Sequence, residues 1–257
     1  MNAQMKMRRA AAFLAIGAVW AVPALGGCPV MHADLTNALV SSVAPNVTNG
    51  GLDFNMWATI VDVDGSVCAV TKTGDPASIT DIWLGSRVIS AQKANTANAF
   101  SISNGLSLST ANIYSAVQPG GSLYGLQHSN PVDTKIAYLG SSANFGTSVD
   151  PMQKKRIGGV NVFGGGLALY DADGVKVGAL GVSGDTSCAD HNVAWRVRQA
   201  LGLDHVPAGV VGGTDNIDYL ADGEAPNGFK HPQCGFNEVC VNEAITGQPN
   251  GAGVVCP

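Results

Sequence analysis

Two hydrophobic periods alternate along the chain. From Met56 to Thr73 (MWATIVDVDGSVCAVTKT) two runs rich in Val, Ile and Thr flank Asp64-Gly65, a dipeptide that suits the tight turn matching strand twist, and this predicts a β-hairpin. From Arg156 to Gly184 three apolar runs are punctuated by Gly164-Gly165-Gly166 and by Asp173-Gly174, which predicts a three-stranded meander and brings the count to five strands. Helical spacing governs three other stretches. In Asp34 to Val43 the residues Leu35, Leu39 and Val43 fall at four-residue steps before Pro45. Leu84 to Phe100 carries Ala91, Ala94, Ala97 and Ala99, small enough to lie close on a sheet. Beyond Gly184, Val193, Val197, Ala200 and Leu201 form a stripe that Gly202 stops. Ser187 and Asp190, three residues apart, resemble a capping box at the start of that last helix. Between Gly105 and Pro151 the chain is rich in Ser, Asn, Gly and Pro, with one short helical stretch near Thr110 to Val117; a segment of this kind is a functional loop or an ordered insertion.

Composition places these elements in one body outside the cytoplasm. The chain has 257 residues, 46% of them hydrophobic and only 13% charged, enough for one sizeable core and a tail. Residues 1–27 carry Lys6, Arg8 and Arg9, then an apolar run from Ala10 to Val22 and a break at Pro23, the layout of a secretory signal peptide. Leu25-Gly26-Gly27-Cys28 resembles a lipobox, leaving two readings, an acylated Cys28 that tethers the protein to the envelope or ordinary cleavage nearby. Loss of the signal leaves 11 basic against 19 acidic residues, a net charge of −8, with no basic patch for nucleic acid. The six cysteines, Cys28, Cys68, Cys188, Cys234, Cys240 and Cys256, are disulfide candidates in an exported protein. If Cys28 is acylated one thiol stays unpaired, and Cys68, inside a strand, is the candidate.

Cys188-Ala-Asp-His191 is the stretch most suggestive of chemistry. Covalent haem attachment needs a second cysteine and a neighbouring histidine that are absent here. A zinc site would need further ligands from His32, His128, His205, His231 or the tail cysteines. A Cys–His nucleophile would need an orienting group better placed than Asp190. The plain reading is a disulfide-bonded Cys188 on a capped helix with a solvent-facing His191, and non-covalent haem ligation by the imidazole is the remaining functional one. Arg87 and Lys93, six residues apart on their helix, read as solvated charges or as anion ligands. The Gly164–Gly166 triplet lacks the Gly-Lys-Ser/Thr of a phosphate loop and reads as a tight turn. Neither a nucleophile elbow nor a paired-carboxylate motif is present.

The order of WATIVDVDGSVCAV, SRVISAQKANTANAF, PGGSLYGLQ and GGVNVFGGGLALYDADGVKVGALGVSG resembles the GlcG/HbpS-like haem-binding family, also met as the C-terminal domain of PduO-type proteins, over roughly Met56 to Leu203. The resemblance implies an α/β (α+β) fold, profilin-like, with an antiparallel sheet of about five strands and helices packed on its faces. It implies homo-oligomers, haem or a related tetrapyrrole as ligand in some members, and haem degradation in others. The domain reading is then a signal at 1–27, a GlcG/HbpS-like domain at 28–206 with an insertion at about 105–151, and a Cys-containing tail at 207–257. On this reading the protein is a periplasmic or lipid-anchored haem binder. Either His191 or His128 ligates iron, and Arg87, Lys93 or Arg156 pairs with the propionates. The alternatives are an enzyme or accessory factor with Lys93, Arg156 and Asn161 around a small-molecule cleft, or a structural oligomeric lipoprotein.

Overall fold

The computed structural model describes residues 27–249 and 251–256; the signal reading lies outside them. Helix α1 (His32–Ser42) precedes the hairpin β1 (Trp57–Asp62) and β2 (Val67–Lys72), and α2 (Gly85–Ala99) follows. A short β3 (Leu106–Ser107) and the one-turn helices α3 (Thr110–Ile113), α4 (Leu126–Ser129) and α5 (Thr134–Ala137) run through the insertion. Then come β4 (Gly166–Tyr170), β5 (Lys176–Ser183), α6 (Ser187–Ala200), β6 (Ala208–Gly209) and α7 (Glu238–Thr246). The fold is a mixed α+β body around a four-stranded antiparallel sheet, ordered β2-β1-β5-β4.

The sheet has helices on both faces, so β1 is buried along its whole length. Trp57 and Val61 pack toward α2 with Ala91, Ala94 and Ala97, while Ala58 and Ile60 face α1 and α6 with Leu35, Leu39, Val193 and Val197, as the two-residue period of a strand requires. Glycine in β5 lets α2 come close: a Cβ at Gly181 would fall inside the Ser90 carbonyl of that helix. Ala99, grouped by sequence with the other helix alanines, is exposed at the helix end.

The fifth strand is absent. The Arg156–Phe163 run makes a single bridge, Val132 to Gly158, outside the sheet, because Gly158 and Gly159 both take positive φ, 61° and 83°, and break the extended repeat a ladder needs. Instead its backbone bonds to α2, with the Asn161 N–H donating to Thr96 Oγ1 at 3.0 Å and the Asn95 amide donating to the Gly159 carbonyl at 2.9 Å. At the start of α6 the cap is Thr186 rather than Ser187; its hydroxyl accepts the Ala189 N–H at 3.3 Å.

The chain beyond Pro207 folds back across α6. A two-residue parallel ladder joins β6 to β3, and Ile217, Tyr219 and Val239 pack with Cys188 and Ala111. Three disulfides, Cys28–Cys68, Cys188–Cys234 and Cys240–Cys256, leave no free cysteine among the described residues. Cys68, the thiol expected to stay unpaired if Cys28 is acylated, is here the partner of Cys28. Cys28, six residues after Val22, is exposed and bonded to the strand residue. None of the described helices is long and apolar enough to cross a membrane, and the disulfides are consistent with an exported protein.

Candidate functional site

The sequence candidates do not converge on one point. Arg87 is 1% exposed, not solvated. Its Nε donates to Asp150 Oδ2 at 2.9 Å, its Nη2 donates to the other carboxylate oxygen, Nη1 donates to the Ala137 carbonyl, and the guanidinium lies over the Phe145 ring. Lys93 is equally buried and donates to Asp190 Oδ2 at 2.6 Å and to the Val182 carbonyl at 3.0 Å. Burial lowers the lysine and raises Asp190 to about 6, each held back by its partner's charge. Both cations are spent inside the protein, which corrects the reading of them as surface charges or propionate partners. Arg156 is exposed and pairs with Asp64 at the hairpin turn, its Nε donating to the Asp64 carbonyl at 2.8 Å.

His191 is the largest departure from the sequence reading. The helix turn was expected to face solvent, but the folded-back segment covers it and the imidazole is fully buried. Nε2 faces the Ile217 N–H at 3.2 Å and the Asn216 side-chain oxygen at 3.3 Å, while Nδ1 is buried without a partner. Desolvation pushes the imidazole down to about 3, so it is neutral, and its hydrogen-bonding nitrogen is enclosed rather than open to an apolar slot.

His128 sits differently. It is exposed in the last turn of α4, a helix entered through Gly125 at a φ of 92°. It opens on a cleft of about 400 Å³ between the insertion and the 162–163 turn, walled by Tyr114, Val117, Tyr124, Val162 and Phe163. Asn161 shapes one wall, since its side-chain oxygen accepts the Phe163 N–H at 3.1 Å. Tyr124 and Phe163 expose large parts of their rings. A second, larger groove of about 500 Å³ runs between α1 and the end of α6, but it is lined by Pro29, Asp34, Ala38 and Leu201 among others and offers no histidine, cysteine, methionine or tyrosine. A haem needs an axial ligand and a slot that holds the ring; the His128 cleft supplies a histidine and aromatic walls within a lining that is more polar than apolar, and the larger groove supplies no such ligand. The cleft lining contains no lysine or arginine, so propionates would meet Gln118, Gln127 and solvent. Sequence reasoning singled out His128 but missed the aromatic walls, because Tyr114, Tyr124 and Phe163 lie in three separate segments that only the fold brings together.

An antiparallel sheet clasped by helices on both faces, with an aromatic-walled cleft beside it, defines a mixed α+β protein. The chain belongs to the family described as haem degrading protein HbpS-like, whose model matches residues 31–198. Among solved structures it is similar to a PduOC:heme complex (25% identity, TM-score 0.46, covering 68% of this chain and 94% of the other). It is also similar to protein ORFY of Klebsiella pneumoniae (24%, 0.42, 67% and 90%) and to a double mutant of HbpS from Streptomyces reticuli (16%, 0.44, 76% and 99%). No curated protein matches it.

Proposed function

We propose that the protein is an exported, non-covalent binder of haem or a related tetrapyrrole, which it holds in the His128 cleft. The observation that carries this reading is the contrast between two histidines: His128 is exposed beside a cleft walled by Tyr114, Tyr124 and Phe163, whereas His191 is sealed beneath Asn216 and Ile217. His128 would hold the iron through its imidazole, Tyr114, Val162 and Phe163 would line the ring's pocket, and Asn161 would support one wall. The haem-related family and the disulfides support the reading and the export it includes. A Cys28 disulfide and a Cys28 thioether use the same sulfur, so lipid attachment belongs to a form of the protein without the Cys28–Cys68 bond.

The test is a hemin titration of the purified protein. A Soret band should develop and weaken sharply in His128→Ala, while His191→Gln keeps it. A flat titration removes the haem reading, and loss of the band in His191→Gln alone moves the ligand away from this cleft. Incubation of the loaded protein with a reductant in air, followed by the same band, reads haem degradation, and native mass spectrometry of the sample reads the homo-oligomer.

A further inference from the structure

The motif that drew attention in the sequence has neighbours that the haem reading does not use. Cys188 lies in the first turn of α6, Cys234 in the loop before α7, and Glu238 opens α7. The two sulfurs and a Glu238 carboxylate oxygen all lie within 4.8 Å of one another. His231 joins them, its Nδ1 4.0 Å from Cys188 Sγ. We propose that Cys188, Cys234, His231 and Glu238 form a divalent-metal site of the zinc type that exists only when the Cys188–Cys234 disulfide is reduced.

Three observations carry this. The donor set, two thiolates with an imidazole and a carboxylate, suits tetrahedral zinc. Its ligand atoms would stand roughly 3.3–3.8 Å apart at ordinary metal–ligand distances, so Cys188, Cys234 and Glu238 need only small closures once the sulfurs part, and the His231 ring, whose Nδ1 lies 4.0 Å from Cys188 Sγ, turns in to complete the set. Second, Glu238 is fully buried, yet among the described residues no lysine, arginine or histidine forms an ion pair with it. Its oxygens accept only the Cys234 N–H at 2.6 Å and the Phe236 N–H at 2.8 Å. A buried carboxylate without a cation is costly, and a metal ion would supply the missing charge. Third, an outer shell is already in place. Ser187 Oγ lies 3.2 Å from His231 Nε2, so a proton on Nε2 can be donated to the hydroxyl, freeing Nδ1 for the metal, and the Cys188 N–H points at Cys234 Sγ at 3.3 Å. In exchange Nδ1 gives up its 2.7 Å contact with the Pro232 carbonyl.

Cys188 and His231 are buried and Cys234 is half-buried, so a reductant enters at Cys234. An external dithiol attacks that sulfur, Cys188 leaves as the thiol with the attacker's proton, and the second external thiol resolves the mixed disulfide. The external dithiol is oxidised to its disulfide and the two cysteines are reduced. Binding of one divalent ion then releases two thiol protons.

The experiment titrates the full-length protein with Co2+ and Zn2+, without oxygen, after reduction by a phosphine, and uses the oxidised protein as control. Reduced protein should bind one Co2+ with the thiolate charge-transfer band of a tetrahedral site, and oxidised protein none. A Cys240→Ser/Cys256→Ser variant should behave as wild type, whereas His231→Ala and Glu238→Gln should weaken binding by more than about 100-fold. In wild type, Zn2+ should also slow alkylation of Cys188 and Cys234 but not of Cys240 and Cys256, a readout that needs no site variant to fold. Absence of the charge-transfer band in reduced wild type, its survival in Cys188→Ser/Cys234→Ser, or uniform alkylation with and without Zn2+ overturns the proposal.

Discussion

The burial of His191 makes acid a specific stress on this fold. An ordinary histidine binds a proton near pH 6.5, but desolvation holds the folded His191 neutral down to about 3. In the window between those values the unfolded chain carries a proton on this ring that the folded chain does not, so stability is full above pH 6.5 and falls as the pH drops through the window. The gap is about 3.5 pH units, and at about 1.4 kcal/mol per unit it amounts to about 5 kcal/mol by pH 3. Two neighbours titrate in the same range. His231, pushed to about 4 by burial, adds a loss of the same sign. Asp190, raised to about 6, acts in the opposite direction because the folded state then holds the extra proton. The clean quantity is therefore the difference between wild type and His191→Gln, in which the other two groups are common. Urea unfolding at pH 7, 6, 5 and 4 should show the variant less stable at neutral pH, with the gap closing toward acid by about 1.4 kcal/mol per unit. Parallel curves would mean that the ring is protonated or hydrated in the folded protein, and the enclosure by Asn216 and Ile217 would be wrong.

Other substitutions probe the packing that places the cleft. Asp150→Ala strands the Arg87 guanidinium inside the insertion and should cost about 3–5 kcal/mol by chemical denaturation, whereas joint replacement of both partners by apolar residues should cost much less. Gly181→Ala drives a methyl into the Ser90 carbonyl of α2 and should destabilise by at least about 3 kcal/mol; an unchanged melting temperature would show that α2 can move off the sheet. Cys28→Ser/Cys68→Ser opens a loop of 40 residues and should cost about 4 kcal/mol. Intact mass of the wild-type protein from its envelope fraction distinguishes the disulfide from an acylated Cys28.

The parts of the fold that the sequence disclosed are those whose causes are local. The hairpin was legible because Asp64-Gly65 sits between two β-rich runs and Gly65 takes the expected left-handed φ of 81°. The closeness of α2 to the sheet was legible in its alanines, although the complementary glycine on β5 shows only when the two are packed together. The false fifth strand shows the limit of this reasoning: Arg156–Phe163 has strand composition, but two consecutive glycines in left-handed conformations decide its path.

The site was less legible because its determinants are distant in sequence. Charge spacing on α2 could not reveal that Arg87 meets a carboxylate 63 residues away and Lys93 one 97 residues away. Nor could the α6 pattern show whether His191 meets water. His191 and Arg198, two helical turns apart, form a face opposite in character to the Val193–Val197 stripe, and a polar face usually means solvent. Here it is the 207–220 segment that covers it, with Asp215 bridging Arg198 at 2.8 Å and Asn216 meeting His191. A tail that satisfies polar groups need not be apolar, so hydrophobic periodicity gives no sign of its docking. The same covering that encloses His191 leaves His128 exposed on α4, where the proposed haem cleft opens.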